Sequence, residues 1–191
     1  MSAFSTGARA HAFESGLDYY EQFLEGASVI TLYPQALLPL MAMGLMAALW
    51  DKDGMARCWP AFAGGLFIGL PLSALVGPWV IPALMVLGLV IATLAALLTT
   101  HNAVLCMAFA FFIGLFAMLS SLEGHGLFEL PVFIYVGIVF MANLAFMGTA
   151  NLSRLALDSF QAKAVPIAVR VAASWNATVL ILFLAFQLRN G

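Results

Sequence analysis

The sequence predicts an all-α integral membrane protein, a polytopic bundle of six transmembrane helices preceded by an amphipathic helix. Two observations carry this prediction: 64% of the 191 residues are hydrophobic, and only 8% are charged. A soluble domain carries about 25% charged residues, because polar groups must cover its surface. The mean hydropathy of +1.04 agrees. Lipid is therefore the expected solvent for most of the chain.

Residues 1–27 predict an amphipathic helix at the membrane surface or against a partner, and form the first of two predicted domains. The segment lacks the apolar stretch that a signal peptide has beside its basic residue. Acidic residues lie on one side of the predicted helix, and apolar residues recur at helical spacing. The acidic residues are Glu14, Asp18, Glu21 and Glu25, and the apolar ones are Phe13, Leu17, Tyr20 and Leu24.

The second predicted domain, residues 28–191, contains six stretches long enough to cross a membrane. A crossing helix needs about 20 mostly apolar residues. The stretches are residues 28–50, 59–76, 79–99, 103–121, 129–149 and 165–188. Tryptophans mark three of their ends, as in the aromatic belts of membrane proteins: Trp50, Trp59 and Trp79. The polar stretch between the last two spans is long enough for a short interfacial helix.

The distribution of basic residues predicts the orientation. Six spans put both termini on the same side of the membrane, together with Arg9 and Arg189. The opposite side holds Lys52, Arg57, Arg154 and Lys163. Because cytoplasmic loops are enriched in basic residues, we predict a bacterial inner-membrane protein with both termini in the periplasm.

Small residues predict how the helices pack. Gly65 and Gly69 have the GxxxG spacing that lets two helix backbones approach closely. We interpret this pair as a contact between helices of one chain, with a dimer contact as the alternative.

A few polar side chains lie within the predicted spans, and each is a candidate site because polar groups are costly in lipid. Arg170 lies about one turn into the sixth span, where it can reach the interface or pair with Asp158. Gln35, Asn143 and Asn176 lie deeper. They are expected either to hydrogen-bond between helices or to contact a small neutral solute.

The most concentrated polar cluster lies in the connection between the fourth and fifth spans. Glu123, His125 and Glu129 fall within seven residues, and carboxylate and imidazole groups both bind divalent metals. A dedicated metal site needs three or four fixed ligands, so an ordinary solvated loop is the alternative.

Other features of the sequence exclude several function classes. The net charge of −2 argues against nucleic acid, which is bound by clustered basic residues. Cys58 and Cys106 are far apart in the sequence and lack CxxC spacing, so we expect buried free thiols rather than disulfide or zinc chemistry. The spans lack paired haem-binding histidines, a base for a serine nucleophile and a carboxylate for ion pumping. We therefore predict no enzymatic activity.

The chain resembles the HupE/UreJ family, small polytopic membrane proteins regarded as nickel permeases, over most of residues 26–188. The resemblance rests on three stretches: "LLPLMAMGLMAALW", "WPAFAGGLFIGLPL" and "EGHGLFELP". It implies a small helical bundle and a transport function for nickel.

The family's first-span signature, His-Pro-x-x-Gly-x-Asp-His, is lost in this chain. When the Gly-Leu pair that follows the signature is aligned on Gly44 and Leu45, its histidines fall on Val29 and Ala36. Its aspartate falls on Gln35. Valine and alanine have no metal-binding atom in the side chain, and an amide is a poor replacement for a carboxylate.

The sequence therefore predicts a HupE/UreJ-like protein without metal ligands, a non-catalytic accessory or structural subunit of a membrane complex. Its expected partners are the lipid bilayer and either other membrane subunits or further copies of the chain. The main alternative is a permease for nickel or a small neutral solute, with the cluster at 123–129 converging on Gln35 and Asn176. A pigment- or lipid-binding protein is a third reading, from the phenylalanine-rich fourth and fifth spans. No cofactor is firmly implied: bound lipid is expected, and nickel or a pigment belongs to the alternatives.

Overall fold

Long apolar stretches separated by proline, glycine and aspartate fold into helices that end at those breaks. The computed structural model describes residues 18–73, 77–98, 102–125, 129–160 and 164–190. Within these residues there are seven α-helices and no strands. They are α1 (Tyr19–Thr31), α2 (Pro34–Trp50), α3 (Gly54–Leu72), α4 (Val80–Leu97), α5 (Ala103–Ser121), α6 (Val132–Ser159) and α7 (Ala164–Asn190). The predicted all-helical class is confirmed.

Four of the described helices are long and apolar enough to cross a membrane: α4, α5, α6 and residues Ala164–Gln187 of α7. The bent pair α1–α2 makes a fifth if it is counted as one span. α3 does not count as a span by this measure, because Arg57, Pro60 and Pro71 lower its mean hydropathy. The chain therefore has the helices of a membrane protein, and the count of six spans stays a prediction.

The predicted first span is broken near its start. α1 ends at Thr31 and α2 begins at Pro34, with an angle of 72° between the two helices. Pro34 has no N–H to continue a helix, and it keeps the preceding Tyr33 in an extended conformation. α1 therefore runs across residue 28, where the sequence places the boundary between its two domains.

α1 is capped at its start and packs against α6. The Asp18 side chain caps its first turn, and Glu21 completes a capping box. Further along, the Phe23 ring packs against the Phe140 ring of α6 at a tilt of 56°, with ring centroids 5.5 Å apart. The described part of the predicted amphipathic segment thus packs on the bundle, and residues 1–17 lie outside the described residues.

α6 joins the predicted fifth span and the predicted interfacial helix into one helix of 28 residues. Its length is about 42 Å, more than the roughly 30 Å of a hydrocarbon core. Arg154 lies in the extension, where it pairs with Asp158 one turn later. It also donates a 3.4 Å hydrogen bond to the carbonyl oxygen of Ala48 in α2. The end of α6 is therefore tied to the end of α2.

Glycines let α3 and α5 touch backbone to backbone. A Cβ atom at Gly65 would overlap the carbonyl oxygen of Phe111, and one at Gly114 would overlap that of Phe62. At Gly69 it would lie 2.8 Å from the Met118 Cβ. Both glycines of the predicted GxxxG pair thus face α5 of the same chain.

The neighbouring glycines Gly64 and Gly65 provide a matched test of this contact. Gly65→Ala is expected to lower the free energy of unfolding by about 1–3 kcal/mol, because the backbone of α5 cannot move aside easily. Gly64→Ala meets nothing within 4 Å and is expected to be neutral or to stabilise by up to about 1 kcal/mol through helix propensity. Denaturant unfolding of the purified proteins in detergent measures both; equal effects would contradict the contact.

Candidate functional site

A small cavity lies at the break between α1 and α2, beside the start of α4 and the end of α5. Its volume is about 10 Å³, which is room for about one water molecule. The lining residues are Val29, Tyr33, Gln35, Ala36, Ile81, Ser120 and Ser121. The structure therefore brings together Val29, Gln35 and Ala36, the three positions that the predicted alignment matches to the histidines and aspartate of the family's signature.

The cavity offers acceptors for a neutral hydrogen-bond donor. Pro39 lacks the N–H that would otherwise bond to the carbonyl of Gln35 one turn earlier. Ser120 and Ser121 both donate to the carbonyl oxygen of Ala117, at 3.1 and 2.7 Å. Their oxygens keep lone pairs that can accept. The arrangement suits a water-sized neutral molecule, and the lining contains no Asp, Glu, Lys, Arg or His.

The three residues of the predicted metal cluster lie outside this cavity. The ring Nδ1 of His125 is 3.3 Å from the backbone oxygen of Glu123, and the His125 N–H donates to the carbonyl of Leu122. Glu129 is exposed just before α6, and residues 126–128 are outside the described part of the chain. Among the described residues, no three His, Cys, Asp or Glu side chains form a group that suits a metal ion.

Glu123 and His125 are both partly buried, and Glu123 is the one with an unpartnered carboxylate oxygen: its Oε2 atom has no hydrogen-bond partner among the described residues. Burial without a partner disfavours the charged form and raises the pKa of the Glu123 carboxyl group.

Asn143 and Asn176 each hydrogen-bond to a neighbouring helix. The Asn143 Oδ1 accepts from the indole N–H of Trp59 in α3, at 2.9 Å. The Asn176 Nδ2 donates to the carbonyl oxygen of Leu38 in α2, at 3.1 Å, while its Oδ1 is buried without a partner among the described residues. The geometry gives both asparagines a role in helix packing, and neither lines the cavity at Gln35.

The sequence allowed Arg170 to pair with Asp158, but the structure does not form this pair. Asp158 is held by Arg154 through two hydrogen bonds of 2.6 and 3.0 Å. The pairing differs because α6 is continuous here, which places residues 154 and 158 one turn apart on the same helix. The Arg170 Nε atom is buried without a partner among the described residues.

An apolar groove between α3 and α6 was not predicted. Its volume is about 410 Å³, and its exposed lining is entirely apolar. Two residues of α3 and five of α6 line it: Phe67, Leu70, Val132, Tyr135, Val136, Val139 and Phe140. The aromatic stretch "VFIYVGIVF" is the sequence signal for the α6 side, but nothing local indicates which helix faces it.

Comparisons of the chain with models of protein families, with curated proteins and with solved structures find no match. The resemblance to the HupE/UreJ family therefore stays a prediction from the three quoted stretches.

The raised pKa of Glu123 predicts a pH-dependent stability. Since the folded state holds this proton more tightly than the unfolded state, ionisation lowers the free energy of unfolding as pH rises through the raised pKa. Glu123→Gln cannot ionise. We expect it to be more stable than the unaltered protein near pH 8 and equal to it near pH 4, where both side chains are neutral.

Thermal unfolding in detergent across this range measures the difference. Glu129→Gln, which removes an exposed charge from the same connection, controls for net charge. A gain for Glu123→Gln that does not change with pH would contradict the prediction.

Proposed function

We propose that this protein is a HupE/UreJ-like integral membrane protein that acts as a non-catalytic accessory subunit of a membrane complex. The observation that carries the proposal is the groove between α3 and α6. Its volume of about 410 Å³ is that of a binding pocket, since ligand sites in proteins span about 300–1,000 Å³. A partner's transmembrane helix, inserting an aliphatic or aromatic side chain, is the occupant that fits a purely apolar groove.

Packing in lipid explains why a groove favours a partner helix. Lipid tails are as apolar as leucine, so helices associate through van der Waals contact rather than through a hydrophobic driving force. A concave surface gives an inserted side chain contact on several sides, which a convex helix face does not. The exposed rings of Phe67 and Phe140 flank this concave surface and add contact area.

The proposal includes six spans, with α1–α2 as a broken first crossing and α3 as the second. The charges of the described residues support periplasmic termini in a bacterial inner membrane. The end of the bundle where α2 starts and α7 ends has one described basic residue, Arg189. The opposite end has four, which a cytoplasmic location favours: Lys52, Arg57, Arg154 and Arg170.

Filling the groove tests the proposal. Val136 lines the groove and is 46% exposed, whereas Val90 of α4 is 42% exposed and lies outside it. Val136→Trp is expected to reduce the yield of co-purifying membrane subunits at least about tenfold, because the indole occupies the partner's space and overpacks the contact. Val90→Trp is the matched control and is expected to leave the yield unchanged.

Purification in mild detergent, followed by quantitative mass spectrometry of the subunits, gives the measurement. Elution of the unaltered protein alone, as a stable monodisperse particle, would contradict an accessory role. Equal losses for the two tryptophan variants would contradict the groove as the contact.

A permease for a small neutral solute is the second candidate, and the cavity at Gln35 favours it. This candidate predicts that proteoliposomes take up water faster than empty liposomes do. It also predicts that Gln35→Leu removes this excess, because leucine fills a similar volume without hydrogen bonding. Asn143→Leu, outside the cavity, is the control. Stopped-flow light scattering measures the uptake, and a rate equal to that of empty liposomes would exclude the candidate. A parallel assay of nickel uptake tests the cargo that the family resemblance implies.

A further inference from the structure

Arg170 lies in the second turn of α7, at the boundary between the packed and exposed faces of that helix. Val169 and Ala173 are buried against the bundle, whereas Ile167 and Val171 are 63% and 43% exposed. The guanidinium Nε is buried and has no hydrogen-bond partner among the described residues. A buried arginine atom of this kind costs free energy unless an anion or acceptor meets it.

The described chain provides no carboxylate for this guanidinium. α7 packs against α2, α4 and α6. α2 and α4 contain no Asp or Glu, and the acidic residue of α6, Asp158, is held by Arg154. In the turn after α2, Asp51 is 2.8 Å from Arg57, and Asp53 is exposed beside Lys52. The residues that the structure describes around Arg170 therefore provide no counter-charge for it.

We propose that Arg170 binds the phosphate group of an anionic phospholipid at the membrane surface where α7 begins. The inference requires that the bundle lies in a membrane, but it is independent of any partner subunit. The planar guanidinium group matches two phosphate oxygens and forms charge-assisted hydrogen bonds with them. The other basic residues at this end raise the local concentration of anionic lipid.

The surroundings of Arg170 favour a lipid over a protein carboxylate. Ile167 and Val171 lie on the adjacent exposed face, and the exposed ring of Trp175 continues it one turn further. These apolar side chains are placed to contact the acyl chains of a lipid whose headgroup reaches Arg170. A long basic side chain near a helix end commonly reaches the interface in this way.

Native mass spectrometry of the full-length protein tests the proposal. The protein in detergent is titrated with phosphatidylglycerol, with phosphatidylcholine and with inorganic phosphate. Arg170→Gln removes the charge, and Arg170→Lys keeps the charge without the planar fork. Arg57→Gln at the same end and Arg189→Gln at the other end control for net charge.

We expect the unaltered protein to retain phosphatidylglycerol in preference to phosphatidylcholine. Arg170→Gln is expected to weaken the tightest phosphatidylglycerol site about five- to tenfold, because it removes the hydrogen bonds from the guanidinium to the phosphate. Arg170→Lys is expected to be intermediate, and the two control variants to change binding less than about twofold.

Several results would overturn the proposal. One is that the unaltered protein retains both lipids equally. A second is that Arg170→Gln and Arg57→Gln weaken phosphatidylglycerol binding equally. A third is that inorganic phosphate competes for the site as well as phosphatidylglycerol does. Unchanged lipid binding in Arg170→Gln with loss of a co-purifying protein would assign the counter-charge to a partner's carboxylate instead. Failure of the accessory-subunit proposal leaves this test unaffected, because the titration uses the isolated chain.

Discussion

Contact between helix backbones at glycine is the interaction on which the rest of this fold depends. Lipid provides no hydrophobic driving force between apolar helices, so their association depends on how closely they approach. A Cβ atom would overlap a carbonyl oxygen of the facing helix at Gly65 and Gly114 between α3 and α5, and at Gly26 and Gly137 between α1 and α6. At Gly44 it would lie 2.7 Å from the Phe146 carbonyl oxygen, between α2 and α6.

These contacts also explain the groove. α3 is held by α5, whereas α6 is held by α1 and α2, and no described glycine brings α3 and α6 together. The two helices meet where Trp59 bonds to Asn143 and where the rings of Phe62 and Phe146 lie 4.8 Å apart. Beyond that point each follows its own neighbours, so a space opens between Phe67 and the first turns of α6. The groove is thus a consequence of the same packing that stabilises the bundle.

Local composition was sufficient for the helical class and for four of the predicted spans, because both depend on residues adjacent in sequence. Pro34 and Pro39 predict that the first span bends or loosens, but the 72° angle was not predicted, because apolar residues continue across the break and hydropathy does not register an angle. The pairing of Arg154 with Asp158 was missed because the polar stretch after the fifth predicted span indicated a break, whereas α6 continues through it. The groove and the cavity at Gln35 each join segments far apart in sequence, which no local pattern places together.

α7 differs from the other described helices because it contains no glycine. Two of its polar atoms, the Arg170 Nε and the Asn176 Oδ1, are buried without partners among the described residues. Leaving a buried polar group unsatisfied costs about 1–3 kcal/mol. The Asn176 amide recovers part of this cost through Leu38, but Arg170 carries a full charge and has no such contact. The lipid proposed to bind at Arg170 would offset part of this cost.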